Sequence, residues 1–423
     1  MMPVGRRGGW GWNAASARSA ASGDSAPTRP GRPRTGLAAT TAAVVLLSGG
    51  AAGALGPAGW PAFEQAFRAY VAADGVVGAS AVVVERGQVV ARVMVGHQDR
   101  ARGVPVDSST LFHWGSITKT LTAIAVMQQV QRGTLSLDDA VVRSLPELRR
   151  IHDPFGGMDR ITVRMLLSHS AGFRNGTWPY AQGAPWEPFE PTTWEQLVAM
   201  MPYQQLLFPP GARYGYSNPA YVYLARLVEQ RTGDPWDSYI HKNLFTPLGL
   251  SRSSFRGTPV HLMRHRGYGY TLVRDSAAAG GTRWVETGPD FDPGITTPNG
   301  GWNAPVGELG RYLSWLAGAV RDPAADAVLP RAVLEQMWKP VVPMAEGYEA
   351  DPEQGMGLGF MVRQRGPQRI VGHTGFQGGY RSFVYVDPAT TRGVVVAFNS
   401  TNEVRPDTAG YARVHALALG LLR

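Results

Sequence analysis

The chain has 423 residues, of which 44% are hydrophobic, no cysteine and a formal net charge of +9. This length suffices for two or three domains with a sizeable core, and the lack of cysteine excludes a disulfide framework, a thiolate zinc site, a cysteine nucleophile and an iron–sulfur cluster. Residues 1–36 hold six arginines and one acid and so supply +5 of the net charge. Because both signs are dispersed over the remainder, we expect no nucleic-acid partner.

Residues 1–58 are predicted to be a leader that takes no part in the folded core. Its first part is rich in Arg, Gly, Ala and Pro, and the run 37–56 is uncharged, apolar at its centre and passes through Ala52-Gly53-Ala54. A positive stretch, an apolar run and an A-x-A site are typical of a secretory signal. A single uncleaved membrane anchor and a disordered leader are the alternatives. The pattern favours an extracytoplasmic protein, either secreted or anchored at the cell surface.

The remainder, residues 59–423, is predicted to fold as one domain whose strands come from both ends of the chain. In chain order, the periodicities predict a helix over 60–73, a hairpin of 79–85 with 89–95, helices over 116–132, 163–168, 194–201, 221–232 and 304–319, strands over 357–364, 368–373, 380–387 and 393–400, and a last helix over 407–421.

These elements predict an α+β fold of the α/β-sandwich kind. An antiparallel β-sheet, flanked by the terminal helices, would be built from about residues 59–110 and 340–423. A mainly helical subdomain over about residues 111–339 would be inserted into it. The Pro- and aromatic-rich loop 175–193 and the segment 290–305 are expected to border a cleft; for the first of these, a packed surface loop is the alternative.

The first candidate site is Ser116-Ile117-Thr118-Lys119, at the start of the long apolar helix. Positions i and i+3 share a helix face, so the Ser116 hydroxyl and the Lys119 amine can meet. A serine hydroxyl becomes a useful nucleophile when a nearby base removes its proton, and an amine can be that base if burial lowers its pKa. The helix N-terminus adds free N–H groups and a positive dipole beside the attacked carbonyl.

Two further segments carry side chains suited to the same chemistry. Tyr216-Ser217-Asn218 lies in a Gly- and Pro-rich loop before a predicted helix, where Tyr216 could relay a proton and Asn218 could hold a substrate amide. His373-Thr374-Gly375 ends a predicted strand, and a glycine there permits the close approach of another backbone. Taken alone, a tyrosine in a turn and a histidine near a strand end are mostly structural.

Together, the ordered motifs S-x-x-K, Y-x-N and H-T-G resemble those of the penicillin-recognising serine hydrolases, in the branch of class C β-lactamases and D,D-carboxypeptidases. The run Leu166-Leu167-Ser168-His169-Ser170-Ala171-Gly172 is similar to the LLSHTSG stretch of that branch, and 244–250 (LFTPLGL) also follows its pattern. The resemblance covers residues 59–423, nearly all of the predicted folded chain.

The resemblance implies three catalytic residues: Ser116 as the acylated nucleophile, Lys119 as its base and Tyr216 as general acid and base. It implies an oxyanion hole made by the backbone N–H groups of Ser116 and Phe376. Substrate contacts would come from Asn218, His373, Thr374 and Gly375. No metal ion or organic cofactor is implied, and the implied partner is a small-molecule or peptide substrate. The sequence does not indicate an oligomeric state.

The chain departs from the pattern at His373, where class C β-lactamases carry a lysine. Histidine is mostly neutral near pH 7, which weakens the case for efficient β-lactam hydrolysis. Arg381 is a candidate for the missing positive charge, with an ordinary surface role as the alternative. The neighbours Ser168 and His169 look like a rival catalytic pair, but adjacent side chains point apart, so we expect a structural turn there.

The sequence therefore predicts a serine hydrolase that forms an acyl-enzyme and acts on amide, peptide or ester bonds. The second hypothesis is a catalytically weak penicillin-binding-like module that is acylated or binds peptide without turnover. A third is a cell-surface protein that uses the same fold without chemistry. The intact motifs favour the first hypothesis over the other two.

Overall fold

The computed structural model describes residues 56–176, 191–278, 280–287, 292–320, 322–346, 351 and 353–423. The predicted leader, except for its last three residues, and most of loop 175–193 lie outside the described residues, so the leader, the signal and the extracytoplasmic location stay predictions. Within the described ranges, no helix is both long enough and apolar enough to cross a membrane.

Helices and strands are interspersed along the described part of the chain. The helices are α1 (Trp60–Ala73), α2 (Thr118–Gln131), α3 (Val163–Leu167), α4 (Trp194–Met200), α5 (Asn218–Thr232), α6 (Trp236–Ile240), α7 (Thr246–Leu248), α8 (Thr297–Gly300), α9 (Val306–Leu316), α10 (Pro323–Asp326), α11 (Arg331–Met337) and α12 (Thr408–Gly420). The strands are β1 (Gly78–Glu85), β2 (Gln88–Asp99), β3 (Val104–Pro105), β4 (Leu111–His113), β5 (Tyr270–Arg274), β6 (Thr282–Glu286), β7 (Asn303–Pro305), β8 (Val342–Pro343), β9 (Gln354–Met356), β10 (Met361–Arg365), β11 (Gln368–Gln377), β12 (Tyr380–Asp387), β13 (Arg392–Phe398) and β14 (Ser400–Asn402).

A nine-stranded sheet in the order β3-β2-β1-β13-β12-β11-β10-β9-β8 forms the centre of the molecule. All its paired strands are antiparallel. The α+β class predicted from the sequence is thus confirmed. The predicted hairpin is also confirmed: Arg86 and Gly87 join β1 to β2 with φ of 51° and 81°, the left-handed pair that a tight two-residue hairpin turn requires.

The two faces of the sheet are covered by different helices, so its central strands are buried on both sides. On one face, α1 and α12 pack the rings of Phe67 and Tyr411 against Phe398. On the other face, α9 packs on β1 and β13, and the larger core extends from there through α2 and α5. Double burial explains why β1 and β13 are continuous apolar runs rather than alternating ones.

Several sequence predictions need correction. The part predicted as mainly helical, residues 111–339, also contains the strands β4, β5, β6 and β7. Of these, β4 pairs with β7, and β5 and β6 form a three-stranded sheet with β14 from the C-terminal part of the chain. The strand predicted over 357–364 begins only at Met361. Ahead of it, Gly359 turns the chain with φ of 82°, and a Cβ there would lie 2.2 Å from the Cβ of Ala123. The apolar run was therefore part turn and part strand.

Candidate active site

The Ser116 hydroxyl and the Lys119 amine are in contact, as the i and i+3 spacing predicts. Lys119 Nζ lies 3.0 Å from Ser116 Oγ. Ser116 is in the turn that leads into α2 rather than in the helix itself, but hydrogen bonds from Thr118 N to Gly115 O and from Lys119 N to Ser116 O, both 3.0 Å, continue the helical spacing through it. The side-chain contact is therefore made over one turn, as on a helix.

Two carbonyl-type oxygens also accept hydrogen bonds from the lysine. Nζ donates to Asn218 Oδ1 at 2.8 Å and to the backbone oxygen of Asn299 at 2.8 Å. Lys119 is fully buried, because almost every residue of α2 faces the core. Asn218 is held in turn by Asn175, whose Oδ1 accepts from Asn218 Nδ2 at 3.0 Å. The predicted residues Ser116, Lys119 and Asn218 thus form one connected group.

Asn299 is a residue that the sequence reasoning missed. It lies in α8, 180 positions beyond Lys119, and it contacts the lysine through its main-chain oxygen. Every residue type has a main-chain oxygen, so such a contact cannot be recognised from the residue type. The only signal was the expectation that 290–305 borders the cleft, and Thr122 Oγ1, which donates to Pro298 O at 2.6 Å, ties the same short helix to α2.

Tyr216 lies beside Lys119 and between two imidazole rings. The lysine Nζ is 4.9 Å from the centroid of the Tyr216 ring. On one side the ring stacks on His169, with centroids 4.3 Å apart, and on the other the His373 ring centroid is 6.4 Å away. The first, second and third motifs are therefore brought together around one buried amine.

His169 supports the Tyr216 loop rather than pairing with Ser168. Its Nδ1 accepts a hydrogen bond from Ser217 N at 3.0 Å, and its backbone oxygen accepts one from Gly215 N at 2.7 Å. Burial, with Lys119 and His373 nearby, holds the pKa of His169 well below its usual value, so the ring stays neutral and can accept. Ser168 Oγ instead bonds Arg164 O and Ser170 Oγ, both at 2.9 Å.

The third motif lies inside β11 and not at its end, which corrects the sequence prediction. The ladder between β10 and β11 ends at the pair Met361–Gly372, so over the described residues 373–377 only β12 pairs with this strand. The other edge of the segment lies against the Ser116 turn. A Cβ on Gly375 would sit 2.1 Å from Trp114 O, and a Cβ on Gly115 would sit 3.0 Å from Phe376 N. Glycine at these two positions permits the contact.

The β11–β12 turn determines the direction of the Phe376 N–H. Gly378 and Gly379, with φ of 56° and 81°, form a two-residue hairpin closed by the pair Gln377–Tyr380. The closing pair of such a hairpin exchanges both hydrogen bonds, so the next pair, Phe376–Arg381, exchanges none. The Phe376 N–H therefore points away from β12, towards the turn that carries Ser116.

His373 is buried and neutral. Its Nδ1 lies 2.6 Å from the backbone oxygen of Thr374, to which it can only donate, so Nδ1 carries the proton. Burial, and after it the positive charge of Lys119 when that amine is protonated, lowers the pKa of His373 to about 3. Its Nε2 has no hydrogen-bond partner among the described residues. No group of three or more His, Asp or Glu side chains within the described part of the chain is placed to bind a metal ion.

The fold is that of the β-lactamases and the penicillin-binding protein homologues. Residues 63–419 match the family described as Beta-lactamase, and the chain belongs to that family. It is 33% identical over 206 residues to esterase EstB of Burkholderia gladioli, an alignment that covers 46% of this chain and 50% of EstB. The chain thus spans half the length of this curated relative.

Solved structures show the same similarity over more of the chain. The octameric penicillin-binding protein homologue from Pyrococcus abyssi superposes with a TM-score of 0.68 and 28% identity, covering 86% of this chain and 77% of that one. A class C β-lactamase superposes with a TM-score of 0.67, covering 85% and 96%, but at 18% identity it supports the fold alone.

We expect a clear difference between two substitutions of His169. His169→Leu removes the acceptor of the buried Ser217 N–H and should lower the free energy of unfolding by about 1–3 kcal/mol. His169→Asn should cost less, because Asn Oδ1 takes the place of Nδ1 and asparagine tolerates the φ of 54° at this position. Urea unfolding of both variants tests this, and equal losses would contradict it.

The lowered pKa of His373 predicts a dependence of stability on pH. The unfolded chain binds a proton at this histidine below about pH 6.5, whereas the folded chain does not until about pH 3. The stabilisation that this histidine gives the folded chain is therefore fully present above about pH 6.5 and is lost as the pH falls. Between pH 7.5 and 4.5 the wild type should lose about 2–3 kcal/mol more than His373→Gln. The free energy of unfolding of both proteins is measured in urea at each pH. Equal losses in the wild type and in His373→Gln would contradict the lowered pKa of His373.

Proposed function

We propose that the protein is a serine hydrolase that forms an acyl-enzyme on Ser116 and acts on amide, peptide or ester bonds. The observation that carries the proposal is the 3.0 Å contact between Ser116 Oγ and the fully buried amine of Lys119. Relatives with hydrolase names, such as the esterase EstB, support the reaction class. The roles of the individual residues are part of the proposal.

The acceptors around Lys119 favour its action as a base. A neutral amine has two N–H groups and one lone pair. Asn218 Oδ1 and Asn299 O can only accept, so they take the two N–H groups. The lone pair is then directed at Ser116 Oγ, the one neighbour among these three that can donate. In the proposed first step, the Ser116 proton moves to Nζ while Oγ attacks the substrate carbonyl.

The developing negative charge would be stabilised by the N–H groups of Ser116 and Phe376. The Phe376 N–H points towards the Ser116 turn, and Gly115 and Gly375 permit the close contact. Preorganised donors of this kind typically contribute about 3–4 kcal/mol each. Tyr216, beside Lys119, is proposed to pass the proton on to the leaving group. Water then hydrolyses the acyl-enzyme and returns the serine.

Because His373 is neutral, we propose esters, amides and peptides as the substrates rather than β-lactams. A lysine in the third motif would be a permanent cation for a substrate carboxylate, whereas this imidazole, with its pKa near 3, carries no charge at neutral pH. Asn218 remains the proposed contact for a substrate amide. Thr374 and Gly375, the other proposed substrate contacts, follow His373 on β11.

Covalent labelling tests the nucleophile. A fluorophosphonate should add once to the wild type and not to Ser116→Ala, as read from the intact protein mass. Ser168→Ala is the matched control, because Ser168 is the serine next to His169, and it should label like the wild type. Labelling of Ser116→Ala would exclude the proposed nucleophile. A penicillin adduct on Ser116 that persists for hours would instead favour the second hypothesis, acylation without turnover.

Replacing the lysine by arginine tests the base. Arginine keeps the positive charge but does not lose its proton in proteins, so Lys119→Arg should reduce the rate of p-nitrophenyl ester hydrolysis by about 10²–10⁴-fold. Lys242→Arg, at an exposed lysine paired with Asp234, is the control and should not change the rate. A Lys119→Arg enzyme that folds and keeps its rate would contradict the role of the amine.

A further inference from the structure

The proposed oxyanion hole joins two parts of the chain that lie against each other without a backbone hydrogen bond. Among the described residues, no such bond links residues 114–116 to residues 373–377. Gly115 and Gly375 let the two segments come close, but they carry no side chain that could fix the separation. The distance between the N–H groups of Ser116 and Phe376 is therefore set by contacts beside the hole.

Gln377, the residue after Phe376, makes one such contact. Its Oε1 lies 3.2 Å from Nε2 of His113, which is the last residue of β4 and stands three positions before Ser116. The backbone of Gln377 pairs with Tyr380 and closes the β11–β12 hairpin. The side chain thus spans from the strand that carries the Phe376 N–H to the strand that leads into the Ser116 turn.

His113 is a well-supported partner for this amide. The ring is buried, its Nδ1 lies 3.0 Å from Asn303 Oδ1, and β4 pairs with β7 at these two residues. Asn303 Nδ2 donates to Gly301 O at 3.3 Å, which directs Oδ1 at the imidazole. Burial lowers the pKa of His113, so the neutral ring donates from Nδ1 and accepts at Nε2. A half-turn of the Gln377 amide exchanges its oxygen for its NH₂ group, which can donate to Nε2.

The Gln377 amide also lies directly on α8. A Cβ on Gly300 would have the Oε1, Cδ and Nε2 atoms of Gln377 as its nearest neighbours. Gly300 follows Asn299, whose backbone oxygen accepts from Lys119. The amide is therefore held between β4 and α8. Each of these elements adjoins a part of the proposed machinery, the nucleophile turn in one case and an acceptor of the base in the other.

We propose that Gln377 is a positioning residue whose amide, bridged to His113 and seated on Gly300, sets the position of the Phe376 N–H relative to Ser116. The inference rests on the proposed function, because it concerns the stabilisation of the tetrahedral oxyanion. Gln377 acts through Phe376 and does not contact the substrate in this role. Oxyanion-hole donors are effective at about 2.7–3.1 Å from the oxyanion, so a shift of the strand by about 1 Å should slow the reaction strongly.

Gln377→Ala tests the proposal by removing the amide. Both acylation and deacylation pass through a tetrahedral oxyanion, so kcat for p-nitrophenyl butyrate should fall by on the order of tenfold to a hundredfold, whereas KM should change by less than about twofold. Phenylboronic acid, which forms a tetrahedral adduct with a serine oxygen, should lose affinity by a similar factor. Gln364→Ala, at an exposed glutamine of the neighbouring strand β10, is the matched control and should change neither.

Gly300→Ala moves the amide without removing it. Its methyl group would displace the Gln377 amide, which is the far end of a flexible side chain, so the variant should fold and its kcat should fall. In a Gln377→Ala background the methyl group has no amide to displace, and Gly300→Ala should then have no further effect. An additive loss in the double variant would mean that Gly300 acts by another route, such as Asn299, and would overturn the inference.

Urea unfolding shows whether each variant is folded. An unchanged kcat in folded Gln377→Ala or Gly300→Ala would also overturn the inference, as would a fall in kcat without a loss of affinity for phenylboronic acid. Failure of Ser116 to label with the fluorophosphonate would instead remove the proposed function.

Discussion

The contact on which the site depends is the one between a buried amine and three oxygens. Placing the Lys119 amine in the core would be unfavourable if its N–H groups lacked acceptors. Asn218 and Asn299 provide acceptors and Ser116 is the third polar neighbour, and each comes from a different part of the chain: the start of α5, the short helix α8 and the turn before α2. The hydrogen bonds of one side chain therefore hold three elements in register.

The second constraint is the close approach of β11 to the Ser116 turn. It depends on the absence of a side chain at Gly115 and Gly375, where a Cβ would meet Phe376 N and Trp114 O. Because β10 pairs with β11 only as far as Gly372, the edge of residues 373–377 lies next to the turn. His113 ties the end of β11 to β7 near this contact. Its Nε2 lies 3.2 Å from Gln377 Oε1, and its Nδ1 lies 3.0 Å from Asn303 Oδ1.

Much of this arrangement could be predicted from the sequence, because its strongest signals are local. The i, i+3 spacing of Ser116 and Lys119 puts them on one face of a helical turn, where they can meet, and the hairpin at Arg86-Gly87 follows from turn chemistry. The Asn299 contact could not be predicted, because any residue offers a backbone oxygen. The position of His169 against Tyr216 was missed as well, since it depends on a left-handed residue and on a stacking contact between distant loops.

The distribution of charge distinguishes this site from one with a lysine in the third motif. A lysine at position 373 would place a second amine near Lys119, and in a buried site the two could not both be protonated without strong repulsion. A neutral imidazole avoids that repulsion, as the low pKa of His373 shows.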